Sequence, residues 1–212
     1  MPSQSNPAYD EAGHEAWLRA AARALKGADL RSLVTRTVEG VEIHPLYDKA
    51  RASERLRPAT GWDIRASVRA GEPEAINALA HEALGGGATS VLLDCGAVAS
   101  AADMARALDG VVLEAAPVAL EAGLHGALAA GWLAEAARGS PAARLALHLN
   151  PLGAFAEAGA SPGPVEAHLA RAAETAAALA PAHPEASRFL ASGRTAHEAG
   201  GSPAQELGMM AA

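Results

Sequence analysis

The chain has one cysteine, Cys95, among 212 residues. A single thiol excludes an intrachain disulfide and suits a reducing compartment. Its place in an apolar run reads as an inert buried thiol. Aromatic residues are scarce, at 3%, so the core must be aliphatic, with alanine where helices lie close. No run of Lys or Arg occurs and the net charge is −7. That argues against nucleic acid as the main partner, because such binding rests on cations that neutralise phosphates. No apolar run approaches the ~20 residues of a membrane span. The opening MPSQSNPAYDEAGHE lacks the basic start and apolar segment of a secretory signal. The expectation is a soluble, cytoplasmic chain that uses neither membrane nor nucleic acid. No nucleophile triad or zinc spacing is present. Gly85 to Gly87 follow a helical pattern and precede a strand, the reverse of a phosphate loop; they read as a helix stop.

What is present is alternation. From Gly61 to Gly96 the chain reads strand, helix, strand. Asp63 to Val68 is extended. Glu72, Pro73 and Glu74 open a helix, and Ile76, Leu79, Ala80, Ala83 and Leu84 give it one apolar face. Ser90 to Asp94 is a continuous apolar run closed by an acid, as in a strand buried on both faces. Further units follow: a helix capped by Ser100, a third strand at Val111 to Ala115, and a helix from Gly123 to Arg138. A fourth strand spans Arg144 to Leu149. After Pro151 and a Gly-rich loop comes a helix near Pro164, then a fifth strand at Ser187 to Ala191. Ser202-Pro203-Ala204-Gln205 is a capping box opening a last helix. About five strand–helix units thus occupy residues 61–212. Residues 1–60 lack the alternation and read as an N-terminal helical and extended arm. It comprises a helix from Glu11 to Lys26 capped by Asp10, a short helix or turn at Asp29 to Arg36, and a hairpin over Thr37 to Leu46 turning at Gly40. The class is α/β. An open doubly wound sheet and a (β/α)8 barrel of the TIM type seen through its first five units both fit.

LKGADLRSLVTRTVEGVEIHPLY in the arm, Trp62-Asp63-Ile64-Arg65 in the first strand and SGRTAHEAGGSPAQEL near the end form an ordered set. The set resembles the substrate-binding barrel of the methylmalonyl-coenzyme A mutase family, in particular its small, non-catalytic subunits. The resemblance implies a (β/α)8 barrel and an arm of residues 1–60 that engages a partner, namely a large catalytic subunit. It also implies an acyl-coenzyme A isomerase whose holoenzyme uses adenosylcobalamin. In catalytic members the first strand continues as Ile-Arg-Gln-Tyr; here Ser67 takes the tyrosine position. The fifth-strand motif there is Ser-Gly-Tyr-His; here Thr195 takes the histidine position, and His197 lies two residues beyond. The cobalt-ligating Asp-x-His-x-x-Gly motif does not occur, so no cofactor is expected on this chain.

No catalytic residue is assigned. Four residues are candidates for a substrate pocket: Ser67, Asp94, Asn150 and Thr195. Asp94 ends the second strand, where barrel sites lie, although an acid there also caps loops. His148 and Asn150 flank one residue and so share a side; a metal would need a third ligand, and a hydrogen-bonding pair is the simpler reading. The expected role is a non-catalytic barrel portion that supports a large subunit or self-associates through the arm and open barrel edges. Two other readings are a shortened acyl-coenzyme A-binding enzyme and a flavodoxin-like module. Strand order separates the last from the others.

Overall fold

The computed structural model describes residues 13–47 and 62–211. The proposed cap Asp10 lies outside them. The chain divides into two compact units, residues 1–59 and 60–212. In the first, α1 (His14–Ala24) is preceded by Gly13 at its cap position. Trp17, Leu18, Ala21 and Leu25 are its half-buried stripe. A 3-10 turn, Leu30–Leu33, is capped by the Asp29 side chain on Arg31 N–H. β1 (Thr35–Arg36) and β2 (Glu42–Ile43) form an antiparallel hairpin. Gly40 turns it with φ 84°, a left-handed conformation that glycine adopts without steric cost.

The second unit is a parallel sheet of β3 (Arg65–Val68), β4 (Ser90–Asp94), β5 (Val118–Glu121), β6 (Leu145–Leu149) and β7 (Ser187–Phe189). The strands lie in chain order, β3-β4-β5-β6-β7, with no reversal. A flavodoxin-like module needs a reversal point, so that reading is overturned. The helices decide between the remaining architectures. α2 (Pro73–Gly85), α3 (Ala101–Ala107), α4 (Gly126–Ala136) and α6 (Val165–Leu179) pack side by side, α2 on α3, α3 on α4 and α4 on α6. Consecutive helices therefore share one face of the sheet, whereas a doubly wound sheet places helices on both. The second unit is a five-strand arc of a (β/α) barrel.

The core lies between sheet and helix layer. Val91, Leu93, Val118, Leu120, Leu145 and Leu147 face outward from the arc and meet Ile76, Ala80, Met104, Ala129, Ala130 and Leu133. Alanine at the helix positions lets the helices approach the sheet closely, which compensates for the scarcity of aromatic rings.

Two expectations need correction. The third strand is Val118–Glu121, not Val111 to Ala115. In the latter stretch Ala115 N–H and Ala116 N–H both bond to the Val112 carbonyl, forming a turn. Val112 and Glu114 are exposed there, while Val118, Ala119 and Leu120 are all buried. An inner parallel strand needs burial on both faces, and only the second run meets this. Pro117 lacks an N–H, but its carbonyl accepts from Val91 N–H. The second correction is α5, Pro151–Ala158, in place of a Gly-rich loop. Asn150 caps it through Oδ1 on Gly153 N–H at 3.0 Å, Pro151 opens it, and Gly159 ends it at φ 64°. Gly153 is required by that cap: a Cβ there would lie 2.2 Å from the Asn150 amide nitrogen.

Short helices finish the unit: α7 (Arg194–Glu198) and α8 (Pro203–Ala211). The capping box forms as expected. Ser202 Oγ accepts from Gln205 N–H at 3.3 Å, and Gln205 Oε1 accepts from Ser202 N–H at 2.8 Å.

Candidate functional site at the mouth of the arc

The carboxyl ends of the strands carry a belt of charge. Asp94 and Glu121 are register partners on β4 and β5. Two carboxylates on adjacent strands repel, and each is met by an arginine. Arg69, just past β3, places Nε 2.5 Å from Asp94 Oδ2 and Nη2 3.9 Å from Glu121 Oε2. Arg194, at the start of α7, binds Glu121 through Nη1 and Glu157 of α5 through Nη2, the latter at 2.9 Å. These carboxylates, Glu121 first, hold the Arg194 guanidinium above its ordinary value. The belt thus ties the end of β3 to β4, β5, α5 and α7.

Inside the belt is a cavity of about 230 Å³. Leu92, Leu190 and Ala154 supply its apolar wall. Glu121, Glu157, Arg194, His148, Asn150 and Ser192 supply its polar groups. His148 enters through an irregularity in β6. Ala146 pairs with Ser187 and Leu149 with Phe189, so β6 carries one extra residue, a bulge. His148 takes it up at φ 49°, a left-handed conformation tolerated better by His than by most residues. Leu147 and Leu149 remain in the core, and His148 between them faces the cavity. Its Nδ1 lies 3.1 Å from the Leu120 carbonyl. Burial, followed by the charge of Arg65, pushes the imidazole below its ordinary pKa, so it is neutral at neutral pH.

The four candidates fare differently. Asn150 lines the cavity, with Oδ1 committed to the α5 cap. Asp94 sits in the belt, and its Oδ1 accepts from Gly96 N–H at 2.8 Å, capping the 3-10 turn Cys95–Ala97. Both loop-capping and ion pairing therefore occupy it. Ser67 is exposed and pairs with Leu92, a cavity residue, but does not line the cavity. Thr195 stands outside it too; its Oγ1 reaches Glu157 Oε1 at 3.4 Å. His197 turns to α8, with Nδ1 2.8 Å from Glu206 Oε1. Among the described residues no three His, Cys, Asp or Glu side chains are grouped to hold a metal ion.

Sequence reasoning missed Arg69, Glu121 and Glu157. The signal for Glu121 was present, since it closes β5 as Asp94 closes β4. Placing the third strand too early hid it.

At the opposite end, Trp62-Asp63-Ile64-Arg65 locks β3 to β4. Asp63 Oδ1 accepts from Thr89 Oγ1 at 2.7 Å and Oδ2 from Ser90 Oγ at 2.9 Å. Arg65 binds both Asp63, at 2.9 Å, and Ser90, at 3.1 Å. The Thr89 bond, with Ser90 and Arg65, holds the Asp63 carboxyl below the usual carboxylate range despite partial burial. A depressed carboxyl adds stability above its unfolded pKa and loses it as pH falls through the folded one. An Asp63→Asn chain should therefore lose less stability than the parent on acidification through about pH 4, read by urea unfolding. Equal losses in both chains would remove Asp63 from the account.

Residues 94–212 match the family model described as methylmalonyl-CoA mutase. The chain belongs to the methylmalonyl-CoA mutase family. The match begins at Asp94 and so includes the belt from Asp94 to Arg194, together with His148, Asn150 and Thr195. The methylmalonyl-CoA mutase small subunit of Streptomyces virginiae is 30% identical over 94% of this chain. The chain spans about a third of the length of that curated relative, 36%. No helix among the described residues is long and apolar enough to cross a membrane. The mutase family thus accounts for the arc of consecutive β/α units, and the belt is how this member closes their carboxyl ends.

Proposed function

We propose that this mutase-family chain is a non-catalytic barrel portion of small-subunit type. In this reading it supports a large catalytic subunit of an adenosylcobalamin-dependent acyl-coenzyme A isomerase. The carrying observation is the state of the mouth. Where the resemblance expects a tyrosine and a histidine, Ser67 is exposed and Thr195 leans on Glu157. Neither can supply the ring contact or the imidazole N–H to a thioester carbonyl. The groups that do face the cavity are largely committed to one another: Arg194 to Glu121 and Glu157, and Asn150 to its helix cap.

The residues present do not fit a corrin. That ring is broad and flat, while the mouth cavity of about 230 Å³ is bordered by the Arg194 ion pairs. Cobalamin is therefore expected on the large subunit.

A need for a partner rests on exposed apolar surface. Trp62 is 97% exposed and Ile64 60%, beside edge strand β3; Phe189 is 55% exposed on edge strand β7. In the arm Val38 is 93% exposed. Uncovered apolar groups beside unpaired strand edges favour association.

Co-expression with a large mutase subunit, followed by size-exclusion chromatography and a mutase assay, tests the proposal. The expected result is a complex whose turnover requires the large subunit. Turnover of an acyl-coenzyme A by this chain alone with adenosylcobalamin would instead establish a shortened enzyme. A well-folded monomer at every concentration, with no affinity for the large subunit, would also overturn the reading.

A further inference from the structure

A second cavity lies on the other side of the sheet from the mouth. His148 faces the mouth, while its neighbour Leu149 faces the helix layer and floors this second cavity, of about 300 Å³. The space lies among the start of α4, α5 and α6. Leu128 and Phe155 join Leu149 as apolar wall. Every ionisable group on the lining is basic: His125, His168 and Arg171. The chain as a whole has a net charge of −7; no acid lies in the first turn of α4, and Glu166 in the first turn of α6 is not on the lining.

The basic groups are not used up internally. Arg171 makes no ion pair among the described residues, although its own backbone carbonyl accepts from Thr175. His168 is held edge-on against the Phe155 ring, with centroids 4.9 Å apart. That contact fixes the imidazole at the junction of the apolar wall and the basic rim. The volume is at the small end of the range for small-molecule sites, which are mostly apolar with a few convergent polar groups.

We propose that this cavity binds a short linear carboxylate, with its alkyl tail on Leu128, Leu149 and Phe155 and its carboxylate on Arg171 and the two imidazoles. Arg171 supplies the permanent cation and a planar pair of donors matched to a carboxylate. Each imidazole offers one N–H donor even when neutral. The tail requires the apolar wall, and the size favours a chain of octanoate length over a long fatty acid. The lining shares only Gly123 and Asn150 with the mouth, so the proposal stands or falls independently of the subunit role proposed above.

The test is titration of the full chain with sodium octanoate, by calorimetry and by amide NMR spectra. Saturable binding is expected, with shifts at Gly126, Leu128 and His168. Arg171→Gln should weaken it about tenfold, the worth of one charge-assisted hydrogen bond. Arg171 is exposed, so this variant should fold as the parent does, which circular dichroism checks. Inorganic phosphate and 1-octanol should each bind at least about tenfold more weakly than octanoate, because each lacks half of the contacts. Absence of octanoate binding at millimolar concentration would overturn the proposal. So would unchanged affinity in the Arg171→Gln chain, shifts confined to Glu121 and Arg194 at the mouth, or phosphate binding as well as octanoate.

Discussion

A Leu133→Ala chain unfolds about 3 kcal/mol more readily than the parent, within the range for truncating a buried leucine. Leu133 is 0% exposed and sits on α4, the helix that touches β5, β6, α3 and α6 together. Trimming its isobutyl group to a methyl loses the transfer free energy of three carbons and leaves a cavity. That cavity cannot collapse easily, because the neighbours belong to four different elements. Leu128, five residues earlier on the same helix, is 51% exposed. Leu128→Ala should cost less than about 1 kcal/mol, as surface changes usually do. Urea unfolding of the two variants reads the contrast, with midpoints shifting and the slope unchanged. Equal losses would mean that α4 does not pack on the sheet through the Leu133 face.

The second large effect concerns Cys95. The thiol is 5% exposed. Burial pushes it up to about 12, with the charge of Asp94 adding to the shift. A thiol with a raised folded pKa favours the native state fully below its unfolded pKa near 9. That advantage is lost as pH rises, because only the unfolded chain ionises at first. Three pH units correspond to at most about 4 kcal/mol of stability lost between about pH 9 and pH 12. A Cys95→Ala chain lacks this component. It should start less stable at neutral pH, from the lost packing, and fall less steeply above pH 9. Parallel curves for parent and variant would show that the thiol does not titrate differently on unfolding. The same placement predicts that thiol reagents modify Cys95 at neutral pH only in denaturant, since the nucleophile is the thiolate.

Much of the fold could be read from local chemistry. Pro73 opens α2, Ser100 caps α3 and the Ser202–Gln205 pair closes the capping box. Each is a rule acting over a few residues. The third strand was misplaced because Val111 to Ala115 and Val118 to Glu121 are equally apolar. Only tertiary burial separates them, and Glu114 is the one hint in the first run that solvent lies on one side. α5 was missed although Asn150, Pro151 and Gly159 spell a start and a stop. Gly153 disguised it, being set by the approach of the Asn150 side chain and not by a loop.

The candidate site was legible only in outline. Asp94 and Asn150 do stand at the carboxyl ends of their strands, as their position in the β/α repeat suggests. Other pairs of the belt join distant parts of the chain: Arg194 lies 73 residues from Glu121. Such pairs leave no spacing signal in a single sequence. The bulge at His148 was equally invisible, since it exists only relative to β7.

The sequential order of the five strands limits how the arc can be completed. An eight-stranded barrel closes because tilt and stagger are tied to strand number. In a closed barrel of that number β3 and β7 would not be neighbours: three further strand positions lie between them, so the two edges of the arc face different partners and not each other.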